Sequence, residues 1–353
     1  MAAADPWRMR LMNPSTPNPY PWDGKGTPSC GSSSRDELAE LQALDAKINA
    51  LLPRQYQYCY DSVRPVSMGS AGLKFGPDGK VAWDQIWTSF CDLALAGGPP
   101  HRGTLLEPAS AEEALQEPEK YQEVVEEIGR GLWLTTRLPV LPHSAPGWVG
   151  VRCHNWEMAA WLVRAIVAEN VFARHDREML SLPAGPHFRL GKEIKNVVTV
   201  LAKTCHYWDY HTSARQRAEV AATLNGIGEA TLLEPATSEE ARKASERYKA
   251  VVNEMKRRLR KITRLAAASC QTLGWIGVPC SDELMAIWLM RAVIAENVLA
   301  RREGNVLFLP ASPAFTEGDK IQKVAEAFAR ARRLWNIHVA NRRYAHEKPS
   351  SGV

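Results

Sequence analysis

Residues 147–186 read GWVGVRCHNWEMAAWLVRAIVAENVFARHDREMLSLPAGP, and residues 274–313 read GWIGVPCSDELMAIWLMRAVIAENVLARREGNVLFLPASP. The second stretch follows the first by 127 positions without a gap. The same offset carries Thr104-Leu105-Leu106-Glu107-Pro108 onto Thr231-Leu232-Leu233-Glu234-Pro235, and Trp208 and His211 onto Trp335 and His338. An ungapped match of that extent marks an internal duplication, two copies of one folding unit.

Each copy presents its segments in the same order. TLLEP is a short strand, and helices follow over about residues 110–137 and 237–268. Next come the apolar strands WVGVRC and WIGVPC, then a helix of about 20 residues in each copy. The strands EMLSLPA and NVLFLPA follow, and closing helices span about residues 190–210 and 317–340. Strands that alternate with helices at this spacing point to βαβ crossovers, and continuous apolar strands suit a sheet covered on both faces. The expectation is an α/β fold. It consists of two tandem homologous βαβ-containing repeats with mainly parallel strands and pseudo-twofold symmetry. The central helix is apolar around its circumference, so it is expected between the sheet and another helix, with its own counterpart as a candidate.

Outward from the repeats, residues 1–34 are rich in Pro, Ser and Gly and read as a flexible leader. Residues 35–96 form a helical and hairpin region. Ser34 caps a helix carrying Leu38, Leu41, Leu44, Ile48 and Leu51. LKFGPDGKVAW, residues 73–83, reads as a hairpin, and Asp84 as the cap of a further helix that stops at Gly97-Gly98. Repeat one is bounded at 97–211 and repeat two at 212–343, and residues 344–353 read as a flexible tail.

Composition narrows the function classes. The 353 residues carry a formal net charge of +5, with 45% hydrophobic and 24% charged residues, as in an ordinary soluble protein. That charge does not demand nucleic acid and suits an anionic small ligand. Seven Cys with no C-x-x-C pair read as reduced thiols in the cytoplasm. Arg164 and Glu169 interrupt the longest apolar run, so no membrane span is expected.

Candidate chemistry falls into groups kept in both copies and groups present only in the first. Cys153 and Cys280 both end a strand just before a helix, where the helix dipole lowers a thiol pKa; Cys153 is therefore a candidate nucleophile, with tight packing as the plainer role. Glu169 and Glu296 sit on the apolar helix face. Glu169 is a candidate acid or base, weighed against pairing with Arg164 or Arg174. Asn170 and Asn297 are expected to bond a loop or the arginine four residues on.

The first copy alone carries Gly97-Gly98-Pro99-Pro100-His101-Arg102-Gly103, Pro186-His187-Phe188-Arg189, Lys192 and Cys205-His206. In this reading His101 and His187 move protons, and Arg102, Arg189 and Lys192 hold an anion with help from Gly98 and Gly185. Cys205 and Asp209, four apart on a helix, are candidate metal ligands, and no particular cofactor is indicated. The run Lys256-Arg257-Arg258-Leu259-Arg260-Lys261 reads as a solvated face, and nucleic acid is not expected in the absence of a recognised motif. The sequence thus points to a cytoplasmic protein that binds an anionic small molecule or cofactor, and acts on it if the histidines serve. The alternatives are an accessory protein that docks a protein partner or hands over a metal, and a nucleic-acid binder.

Overall fold

The computed structural model describes residues 34–53, 56, 72–85, 104–227, 232–263, 268–269 and 272–347. Helix α1 (Arg35–Leu51) starts at Ser34, whose Oγ accepts the Glu37 N–H while the Glu37 carboxylate accepts the Ser34 N–H, as the capping pattern predicts. Leu41, Leu44, Ile48 and Leu51 are buried on one face. Phe75 pairs antiparallel with Val81, the hairpin expected around Pro77-Asp78-Gly79. The helix expected after Asp84 lies almost wholly outside the described residues, as do Gly98, His101 and Arg102.

The first copy runs α2 (Ala111–Gln116), α3 (Pro118–Thr136), β1 (Val140–Leu141), β2 (Trp148–Arg152), α4 (Trp156–Ala168), β3 (Arg174–Asp176), β4 (Met179–Pro183) and α5 (Lys195–Tyr210). The single helix expected over residues 110–137 is two, divided at Glu117, because the residue before a proline is pushed out of the helical region. Helix α6 (Ala214–Ile227), which the sequence reading did not anticipate, leads into the second copy. There follow α7 (Ser238–Lys243), α8 (Ser245–Thr263), β5 (Ala268–Ser269), β6 (Trp275–Pro279), α9 (Glu283–Ala295), β7 (Arg301–Glu303), β8 (Val306–Pro310) and α10 (Lys320–Glu347).

The strands are antiparallel, not mainly parallel. The sheets have the orders β1-β2-β4-β3 and β5-β6-β8-β7, and every strand pairing within them is antiparallel. Among the described residues, parallel pairing is confined to the bridges Leu106–Val171 and Leu233–Val298. The cause is a helix shorter than expected. Helices α4 and α9 each end after 13 residues, and Asn170 and Asn297 then adopt left-handed φ angles of 59° and 63°. That early stop frees enough chain for β3 and β7. A turn at Arg177, or at Gly304 in the second copy, reverses the chain again, so β4 and β8 meet β2 and β6 head to tail.

Gly147 and Gly274 open the duplicated stretch at φ 86°. A Cβ at either would lie 2.1 Å from a backbone carbonyl, of Ala109 or Ala236. The hydroxyls of Tyr121 and Tyr248, also 127 apart, each accept the glycine N–H at 2.7 Å. Helix α3 packs on α5 and α8 on α10, and each central helix lies against the closing helix of its own copy. The outer cover of α9 is α1, and α4 packs against α6, so the covering helix in each case is an added one rather than its counterpart.

The copies meet through charge. The Arg164 guanidinium donates to Asn297 Oδ1 at 2.6 Å, and Asn170 Nδ2 donates to the Arg302 carbonyl at 2.9 Å. Arg174 makes a two-pronged contact with Glu240, 2.8 Å on each arm, and donates to the Pro235 carbonyl. The carboxylate of Glu234 stands 3.6 Å from Arg174 Nε. Across the joint, Ser238 donates to Glu107, and Ala111 N–H to Glu239. Asn170 therefore bonds the other copy rather than its own helix.

Glu169 is fully buried, and its partner is neither Arg164 nor Arg174. Lys203 Nζ and the Tyr56 hydroxyl both donate to Oε1 at 2.5 Å. In the second copy Glu296 receives Arg330, the residue 127 past Lys203, and Lys47 of α1. Removing one member of a buried pair leaves an uncompensated charge, at a cost of about 3–5 kcal/mol. Lys203→Met should therefore lower the urea midpoint strongly, and adding Glu169→Gln should recover most of the loss because Gln still accepts the Tyr56 hydroxyl. Equal midpoints for Lys203→Met and the parent protein would contradict the pairing.

Glu234 offers a second check. Burial pushes its carboxyl up to about 7, against the pull of Arg174 and Arg164. The folded chain thus holds a proton that an unfolded Glu, with pKa about 4.3, has already released. The resulting stabilisation is present at low pH and is lost as pH rises through the folded value. The stability of the parent protein relative to Glu234→Gln should fall between about pH 5 and 7 and level off above that. A flat difference across this range would exclude a raised Glu234.

Candidate functional site

Gly98, His101 and Arg102 lie outside the described residues, and the sequence-predicted site residues that are described do not gather in one place. His187 is exposed, with its ring edge-on to Phe188 and against buried Gly185. The Pro183–His187 loop was expected to hold an anion, and the protein supplies one itself. Glu193 accepts the Arg189 N–H at 3.0 Å and the Arg189 guanidinium at 2.8 and 3.1 Å, and Lys192 lies 3.5 Å from it. The Arg189 guanidinium holds the Glu193 carboxyl down at about 2. Both expected anion-holding cations of this loop are thus engaged internally.

The thiols run against the expectation of activation. Cys153 is 4% exposed, and burial pushes its thiol up to about 12 despite the helix that starts beside it. Burial also raises the Cys205 thiol, with Cys153 and Asp209 adding to it. Desolvation of a thiolate outweighs the dipole when no cation pairs with the sulfur. Cys205 faces the interior and Asp209 the solvent, so the proposed metal pair is divided between two environments. Among the described residues, no group of three or more His, Cys, Asp and Glu is placed to hold a metal ion. Glu169, sealed in its pair with Lys203, has no access to solvent.

One place in the first copy does collect free polar groups. The end of β2, the start of α4 and the β3–β4 turn enclose an open hollow of about 570 Å³. Its walls are Arg152, His154, Asn155, Trp156, Arg177 and Glu178, and Cys153 lies in its floor. Local sequence accounts for the geometry. Burial is continuous from Val149 to Val151 in β2 until Arg152 is exposed, and the Cys153 N–H donates to the Glu178 carbonyl, which ties the strand to the turn. Asn155 caps α4 by accepting the Met158 N–H at 2.8 Å. The first N–H groups of α4 have no acceptor within the helix and face the cap. Arg177 sits at φ 50° in the β3–β4 turn and is exposed.

Arg152, His154 and Arg177 make no side-chain hydrogen bond or ion pair with a described residue, and Trp156 is 36% exposed. The second copy has Pro279, Ser281, Asp282, Glu283, Gly304 and Asn305 at these positions. There Glu283 pairs with Arg302 at 2.7 Å, and Asn305 donates to the Cys280 carbonyl at 3.1 Å. The framework is the same, but the second corner satisfies itself while the first leaves two cations, an imidazole and an indole unused. Residue type alone does not single out these residues, although the 127-residue offset shows each replacement. A smaller depression near Asp78 and Lys80, of about 420 Å³, is different in kind, since its arginine, Arg130, is already bound to Glu127 and the Val81 carbonyl.

No protein-family model matches the chain, and no curated protein is significantly similar to it. Among the described residues, no helix is long and apolar enough to cross a membrane.

The raised Cys153 thiol has a direct chemical consequence. Iodoacetamide near neutral pH should label Cys153 far more slowly in the native protein than after unfolding in urea, as read by peptide mass spectrometry. Labelling of native Cys153 at the rate of a free thiol would show an activated sulfur instead.

Proposed function

We propose that this protein binds a small anionic ligand bearing a flat ring in the hollow of its first copy. Two uncommitted guanidinium groups beside an exposed indole, absent from the matching corner of the second copy, carry this reading. Arg152 and Arg177 would grip a phosphate or carboxylate, since guanidinium forks match those groups. The start of α4 adds favourable potential for negative charge. Trp156 would cover the ring, and His154 would donate or accept at the rim. A volume of about 570 Å³ is in the range of small-molecule sites. Glu178 at the rim lowers the net positive charge and disfavours highly charged polyanions. Burial raises the Cys153 thiol, so the reading rests on binding by the arginines and the indole rather than on the sulfur.

Phenyl phosphate and inorganic phosphate are suitable probes by isothermal titration. Phenyl phosphate should bind more tightly than inorganic phosphate, through the ring contact. Trp156→Glu and Arg177→Gly install the residues of the second copy, and each should weaken phenyl phosphate by about tenfold or more, the first by removing the ring contact and adding a negative charge, the second by removing one charge-assisted contact. Unchanged binding in both variants, or no heat with either probe, would rule out the hollow as the site.

A further inference from the structure

The last turn of α5 holds a second arrangement, independent of the hollow. His206 and His211 bring their Nε2 atoms to 3.2 Å. Their ring centroids are 5.0 Å apart, with planes at 56°. Two imidazoles meeting head-on across such a gap would have more distant centroids. The two rings therefore meet at an angle rather than head-on, with the two Nε2 atoms as their nearest ring nitrogens. Two zinc ligands at about 2.0–2.1 Å in a tetrahedral site are separated by about 3.3 Å, close to this spacing. We propose that His206 and His211 form a two-nitrogen site for a transition-metal dication of the zinc or copper type, with the remaining positions open to water or to a donor from a bound molecule.

The surroundings hold the pair in place. Tyr210 stacks against His206 at 4.9 Å, and Tyr207 meets His211 edge-on at 6.0 Å. The backbone that carries them is pinned by Arg217, whose guanidinium donates to the carbonyls of Trp208 and Asp209 at 2.8 and 2.9 Å and lies over the Trp208 ring. His211 is exposed and His206 half-buried, so the open side faces solvent. The second copy has Arg333 in place of His206, and its His338 is packed against Trp288 and Trp335. The pair is thus a property of the first copy alone. It also revises the sequence expectation for this segment: the ligand atoms are those of His206 and His211, not Cys205 and Asp209.

Untagged full-length protein, stripped with a chelator, should take up one equivalent of Zn2+ by isothermal titration in a non-coordinating buffer near neutral pH. Uptake should fall as the buffer is made more acidic through the histidine range. His206→Ala and His211→Ala should each remove this event while leaving the circular-dichroism melt of the metal-free protein close to that of the parent. His211→Ala is the decisive variant, because an exposed ring at a helix end can be removed without disturbing the core. Zn2+ uptake of the same stoichiometry and affinity in His211→Ala would overturn the proposal, as would the absence of a saturable event in the parent protein.

Discussion

The joint between the two copies is made of charged and amide groups that can be satisfied in one arrangement. Arg164 reaches Asn297, Asn170 reaches Arg302, and Arg174 grips Glu240 beside Glu234. A purely apolar contact between two similar units would tolerate sliding. A joint of buried arginines does not, because any slip would strand charge away from water. The same groups explain the difference between Glu234 and Glu240. Burial raises both, but the paired bonds from Arg174 reach Glu240 and bring it below the ordinary carboxylate range, while Glu234 keeps only the longer approach.

A second consequence is the role of the chain before the repeats. Each copy places a glutamate at the end of its central helix, Glu169 fully buried and Glu296 partly so, and answers it with a cation from its closing helix, Lys203 or Arg330. The upstream segment completes both. Tyr56 bonds Glu169, whereas α1 brings Lys47 to Glu296 and sets Glu40 against Arg330 and Arg333. The duplicated units are therefore not self-sufficient, and the N-terminal helix is part of the folded body.

Against this shared frame the two copies diverge at their surfaces. Where the second copy pairs Glu283 with Arg302 and ties Asn305 to the backbone, the first leaves Arg152, Arg177 and Trp156 unengaged. Where the second has Arg333 and a packed His338, the first brings together two imidazole nitrogens. Conversely, the cations that look most available in the sequence, Arg189 and Lys192, share the carboxylate of Glu193 four residues or fewer away. A free cation is recognised by what fails to approach it in three dimensions, and that is invisible in a list of residue types.

Sequence by itself determined the duplication, the capping of α1, the hairpin at Phe75 and Val81, and the apolar central helices, because each of these depends on neighbours a few residues apart or on a repeated register. It also contained the early stops at Asn170 and Asn297, which a reading based on apolar periodicity passed over. Only the tertiary structure decided the direction of the strands, the identity of the partner of Glu169, the burial that keeps Cys153 protonated and the choice of Arg152 and Arg177 as uncommitted cations. These depend on which distant groups meet after the chain reverses at Arg177 and Gly304, and desolvation and pairing are properties of that meeting rather than of the local run of residues.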